Sequence, residues 1–236
     1  MKTRILLASL LLVVNLLAFG QKTTPWKPLF DGKTFANWDI IGSNGIVKIL
    51  DDSFEIGMRA NTPEHTFLKT QKKYKDFILE LDCKKDTEFN SGILFRAIPT
   101  PDTASVSLYG YQIKLDPSPT RRWTGGLFDD FGKTWNWIYS LKDDERARKA
   151  EKLGEWNHFR IEMIGKHIKV WVNDTPTLNL THSKYTKAGW IGFKMHSLGD
   201  KPDQEKYKAQ FKNIQIIDKK PRKYSKQTDL PLTHIH

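Results

Sequence analysis

The 236-residue chain predicts an all-β fold, an antiparallel sandwich of two sheets with one short surface helix. About a dozen short segments alternate apolar and polar residues, the period of a strand with one buried face. Turn residues separate them at hairpin distances, and no segment has the strand–helix–strand spacing of a parallel sheet. Aromatic residues make up 12% of the chain, enough to fill a core between two sheets.

Residues 1–20 read as a signal peptide, outside the fold. Lys2 and Arg4 precede an apolar run from Ile5 to Phe19, and Ala18 and Gly20 are the small residues ahead of a cut before Gln21. The run is short for a membrane span. The expectation is an exported protein, periplasmic or at the cell surface, that does not span a membrane. One domain is expected over 21–218, and a basic tail over 219–236 reads as a solvated end or an attachment to an acidic surface.

Pro25 to Gly32 is a turn-rich entry. Ile46–Leu50 and Phe54–Met58 flank Asp51, Asp52 and Ser53, a hairpin signal. In Phe77–Cys83, Phe77, Leu79, Leu81 and Cys83 oppose Ile78, Glu80 and Asp82. Gly92–Ala97 comes next. In Gly110–Asp116, Tyr111, Ile113 and Leu115 take one face and Gln112, Lys114 and Asp116 the other. Lys142–Glu151 is rich in Ala and charge, with its acids ahead of Arg146 and Arg148 as a helix dipole favours. It has almost no apolar stripe, so it is expected as a surface helix. Phe159–Met163 and Ile168–Val172 alternate again, joined by Gly165 and Lys166, with Asn173 and Asp174 closing the second. Gly189–His196 sends Ile191, Phe193 and Met195 inward and Trp190, Lys194 and His196 outward. A last strand runs from about Lys208 to Ile217.

Cys83 is the only cysteine, so no intrachain disulfide forms, and it reads as a buried small hydrophobe. The formal charge of +11 falls to +9 without Lys2 and Arg4. No basic helix or RNA-type aromatic motif accompanies it, so no nucleic-acid partner is expected. No glycine-rich dinucleotide loop follows a strand, and no cofactor is expected.

Polar residues collect between Asn90 and Trp137. Asn90, Arg96, Gln112, Lys114, Asp116 and Asp129 stand among Trp123, Trp135 and Trp137. Amides, ammonium groups and carboxylates beside tryptophans are the chemistry of a sugar site, although a solvated sheet face alternates in the same way. Asp129 and Asp130 are candidates for an acid or a cation ligand; with no further ligands nearby, no metal is assigned.

Several segments together resemble one family. Leu29 to Lys33 followed by Trp38 resembles an opening "LF(N/D)GK…W", and Tyr74 to Asp82 a "Y-x-DFEL" strand. Asn90 to Arg96 resembles "NSGIFFR", Tyr109 to Asp116 "YGFEVQILD", and Thr124 to Leu127 "TGALY". Further matches run through Glu155–Asn157, Ile168–Asn173, Gly189–His196 and Phe211–Ile216. The chain is identified as a member of the 3-keto-disaccharide hydrolase domain family (DUF1080), common in exported proteins of Bacteroidota. The resemblance implies a concanavalin A-like jelly roll whose concave sheet carries the ligand, and cleavage of a 3-keto-glycoside at C1. The chain departs from the pattern at Gln112 and Lys114, where the family often has Glu and Gln, and at Lys194.

A ketone at C3 acidifies the proton on C2, and the enolate left by its removal expels the C1 substituent. The chemistry needs a base, donors for the enolate oxygen and an acid for the leaving group. Asp116 or His196 is the expected base, with Arg96 and Lys114 holding the oxyanion. Asn90, Gln112, Trp123, Asp129, Trp137 and Lys194 are expected to bind the sugar. Two alternatives stay open: a glucanase using Glu80 and Asp82 as paired carboxylates, and a non-catalytic lectin-like module.

Overall fold

The computed structural model describes residues 25–61, 64–101, 107–131 and 136–235, so the leader and Trp135 lie outside the described residues. The strands are, in chain order, β1 (Lys27–Pro28), β2 (Trp38–Ile41), β3 (Gly45–Leu50), β4 (Ser53–Met58), β5 (Thr66–Thr70) and β6 (Phe77–Lys85). Next come β7 (Ser91–Pro99), β8 (Leu108–Leu115), β9 (Leu127–Asp129), β10 (Trp137–Tyr139) and β11 (Asn157–Ile164). The chain closes with β12 (His167–Val172), β13 (Thr175–Thr181), β14 (Trp190–Met195), β15 (Lys208–Ile217) and β16 (Thr233–His234).

They form two sheets. The back sheet runs β16-β13-β12-β11-β6-β15-β4-β3, with β1 added to β15; the front sheet runs β10-β9-β8-β7-β14-β5-β2. All pairings are antiparallel except β13 with β16. The inner faces are the apolar half of each alternation: Leu79, Leu81 and Phe211 from the back, Ile93, Ile113 and Phe193 from the front. Phe193 bridges the sheets, 4.4 Å from Phe211 and 5.3 Å from Phe54 between ring centroids. Cys83 is buried in this core. Asn173 and Asp174 both hold positive φ, the conformation a two-residue hairpin between right-twisted strands requires.

Three sequence expectations change. The helix expected over Lys142–Glu151 is a single turn, Glu145–Arg148, capped by Asp144 accepting from the Ala147 N–H. Without an apolar stripe, a longer helix has nothing to offset its nucleation cost. The segment is not wholly surface either, since Leu141, Ala147 and Ala150 are buried. Second, β5 was not anticipated: all five of its residues are buried, so Thr66–Thr70 carries no alternation to read. Third, the basic tail is docked on the back sheet. Ser225 Oγ donates to Glu162 at 2.6 Å, the Lys226 N–H donates to the same carboxylate at 2.8 Å, and β16 pairs with β13.

Candidate functional site

The outer face of the front sheet is the polar half of its alternation, and strand register sets the polar residues in rows. One row reads Ile41, Phe67, Lys194, Gly92, Lys114. The next reads Asp39, Lys69, Gly192, Leu94, Gln112, Phe128, Trp137. Gly92 and Gly192 leave the middle of this floor without side chains. Gln112 lies across Gly92, where an added Cβ would come within 2.4 Å of its Cγ. Among the described residues neither amide atom of Gln112 has a hydrogen-bond partner, although both are buried. Buried polar groups rarely stay unpaired, so this amide has capacity for a ligand.

The cations on the floor are not all held alike. Lys69 pairs with Asp39 and Lys194 with Asp130, both at 2.6 Å. Lys114 donates to the neutral Asn90 Oδ1 at 2.6 Å and sits 5.7 Å from the Phe128 ring. Burial, and then the Lys194 ammonium, push Lys114 down to about 8. Phe128 and Trp123 meet Trp137 edge-on at 5.5 and 5.1 Å, making an aromatic wall beside Gln112.

Two histidines close the end of the floor. His65 precedes β5 and His196 follows β14, with ring centroids 4.5 Å apart. The Ser197 N–H donates to His65 Nδ1 at 2.9 Å, and the Ser197 carbonyl accepts from His196 Nδ1 at 2.8 Å. A neutral imidazole carries one N–H. His65 therefore presents Nε2–H and His196 presents an Nε2 lone pair, a donor beside an acceptor. Burial, then Lys194, depress both imidazoles, His196 to about 4 and His65 to about 2. Both are neutral at physiological pH.

Of the residues named from sequence, Asn90, Gln112, Lys114, Lys194, His196 and Trp137 gather on this face, with Trp123 behind Trp137. Arg96, Asp116 and Asp129 do not. Arg96 sits at a β7 bulge with φ +49, and its guanidinium leaves the floor for backbone carbonyls of Lys75, Tyr185 and Gly165 at 2.7–2.8 Å and for Asp76. Asp116 is buried beyond β8, its carboxylate filled by Arg121, the Trp123 N–H at 2.8 Å and the Ser118 N–H at 3.3 Å. It organises the 116–124 loop. Asp129 shares a face with its partner Tyr111, inward, and accepts from Tyr185 Oη at 2.5 Å and from Lys184. Asp130, one residue on, turns to the floor. Glu80 and Asp82 lie on the back sheet, bound to Arg160 and His158, so the paired-carboxylate alternative has no place on this face.

Sequence reasoning missed His65, because a lone histidine before an unrecognised strand gives no signal. It missed Phe128 for the same reason: β9 is only three residues long. Among the described residues no cluster of three His, Cys, Asp or Glu side chains is placed to hold a metal ion.

Comparison with known proteins adds the following. The model of a family described as the 3-keto-alpha-glucoside-1,2-lyase-like domain matches residues 25–217. A candidate glycosyl hydrolase from Parabacteroides distasonis shares the fold with a TM-score of 0.56 at 19% identity, covering 82% of this chain and 93% of that one. A second from the same organism gives 0.52 at 22% identity, covering 81% and 98%. Carbohydrate binding module CBM66 from Bacillus subtilis gives 0.51 at 14% identity, covering 75% and 93%. At these identities the likeness is one of fold. No curated protein sequence matches the chain.

Proposed function

We infer the chemistry from a plain premise: the chain belongs to the 3-keto-alpha-glucoside-1,2-lyase-like domain family. The reading that fits its own residues is elimination across C1 and C2 of a 3-keto-glycoside. His196 Nε2 takes the C2 proton, and electrons move onto the C3 oxygen. Lys194 and the His65 Nε2–H hold that oxyanion, as preorganised donors do in acyl-transfer sites. The C1–O bond breaks, a C1=C2 bond forms, and the imidazolium at 196 returns its proton to the leaving oxygen. The Gln112 amide and the Phe128–Trp137 wall position the sugar. Fold likeness alone would not license this. The observation that carries it is the pair of imidazoles locked by Ser197 in opposite tautomers beside the Lys194 ammonium.

The leader-like first 20 residues support a place of action outside the cytoplasm, where oligosaccharides are met. Incubation with a 3-keto-glucoside and with the parent glucoside tests the proposal. Release of alcohol from the keto sugar alone, with loss of the C2 hydrogen, is the expected result. Cleavage of the parent glucoside, or tight binding of either sugar without turnover, would replace the lyase reading with the glucanase or lectin one.

A further inference from the structure

His196, with its depressed basicity, is a weak base for a carbon acid, and a ketone held only by hydrogen-bond donors is a modest electron sink. The floor offers a stronger sink. We propose that Lys114 forms an iminium with the C3 ketone of the substrate, so that elimination proceeds through an enamine in place of a free enolate. The inference rests on the keto-glycoside reading above.

Three observations set Lys114 apart. Among the described residues it is the floor cation without a paired carboxylate: Lys69 and Lys194 are each paired at 2.6 Å, whereas Lys114 Nζ donates to the neutral Asn90 Oδ1 and lies near the Phe128 ring. It stands one glycine across the sheet from Lys194. With strands about 4.8 Å apart, the two Cα atoms are about 10 Å apart with Gly92 between them. A lysine desolvated near a second cation is the arrangement that frees an amine for carbonyl attack. Finally, Lys114 is half-buried as a residue and its amine lies between Asn90 Oδ1 and the Phe128 ring, beside the Gln112 amide's strand position. The charged groups around it are Lys194, Asp130, Asp116 and Arg121, and burial, followed by Lys194, holds the ammonium below the ordinary lysine range.

The step balances without an outside reactant. The free Nζ attacks C3, the Lys194 ammonium across Gly92 lends a proton to the carbonyl oxygen, which leaves as water, and the iminium remains. His196 takes the C2 proton, the electrons reach nitrogen as an enamine, and their return expels the C1 oxygen, which receives the proton. Water then hydrolyses the conjugated iminium, freeing the enone and the Lys114 amine and returning the borrowed proton to Lys194.

The test is to incubate the full chain with a 3-keto-glucoside and sodium cyanoborohydride, which reduces iminium ions ahead of ketones, and to map the modified peptide. The expected result is one sugar adduct, on Lys114 and not on exposed Lys48, and a loss of turnover of at least about a hundredfold in the charge-conserving variant Lys114→Arg. Turnover without an adduct on Lys114, or Lys114→Arg activity within about threefold of the parent, overturns the covalent step and leaves the lyase reading standing. An adduct on Lys114 from a chain that releases no alcohol even when the hydride is left out overturns the enamine elimination, and the lyase reading with it. With neither adduct nor release, both fall.

Discussion

Replacing Arg96 by methionine separates a structural guanidinium from a catalytic one. The Arg96 side chain is fully buried and serves three backbone carbonyls, those of Lys75, Tyr185 and Gly165, at 2.7–2.8 Å. Methionine fills much of the volume but donates nothing, leaving each carbonyl unpaired at about 1–2 kcal/mol. The Asp76 contact adds little, because its side chain is 41% exposed and water replaces the lost partner. The sum is about 3–6 kcal/mol, a large share of the roughly 5–15 kcal/mol that holds a domain folded. Urea denaturation followed by tryptophan fluorescence measures it, with the midpoint expected to fall at unchanged slope. Arg96→Lys should recover part of the loss by reaching one carbonyl. A variant Arg96→Met that unfolds within about 1 kcal/mol of the parent yet loses turnover would refute the argument and return Arg96 to the chemistry.

Other outcomes follow from the same geometry. His196→Gln should keep the fold and lower turnover by about a hundredfold or more. In the parent, kcat/KM should fall as pH drops through about 4, because protonation removes the Nε2 lone pair; an acid limb set near pH 6.5 would contradict the burial of His196 and its crowding by Lys194. Gly92→Ala drives a Cβ into Gln112; a stability cost of about 1–3 kcal/mol and a raised KM are expected, measured by melting and by initial rates. The Glu162 carboxyl is raised by burial but lowered further by Ser225, the Lys226 N–H, Lys169 and Arg160, so the net shift is down from 4.5. Its contribution is therefore present above pH about 4.5 and lost as pH falls through the folded value. A chain truncated after Asp218 should lose stability at pH 7 and show a flatter acid profile in denaturation. Trp137→Ala should raise KM more than it lowers kcat, since an aromatic wall binds ground and transition states alike.

Period-two alternation was enough to define most strands, because one face of each has to meet the other sheet; β6, β8, β11, β12 and β14 are all visible this way. It also put Gln112 and Lys114 on one face, and Lys194 and His196 on one face. Alternation is silent where both faces are covered, which is why β5 and the histidine beside it escaped notice. The short strands β9 and β10, the second at the sheet edge, escaped because three residues hold too little pattern.

Local sequence thus determined which residues share a strand face, since that follows from backbone geometry alone. It had no means to say where a long side chain ends. Arg96 lies in a strand that resembles a catalytic one, yet its bulge and positive φ turn the guanidinium to carbonyls from distant turns. Asp129 and Asp130 are neighbours with opposite fates because only the packed sheets decide which face is core. The opposed tautomers of His65 and His196 depend on one serine backbone lying between segments 132 residues apart. Contacts of that kind exist only once the chain has folded.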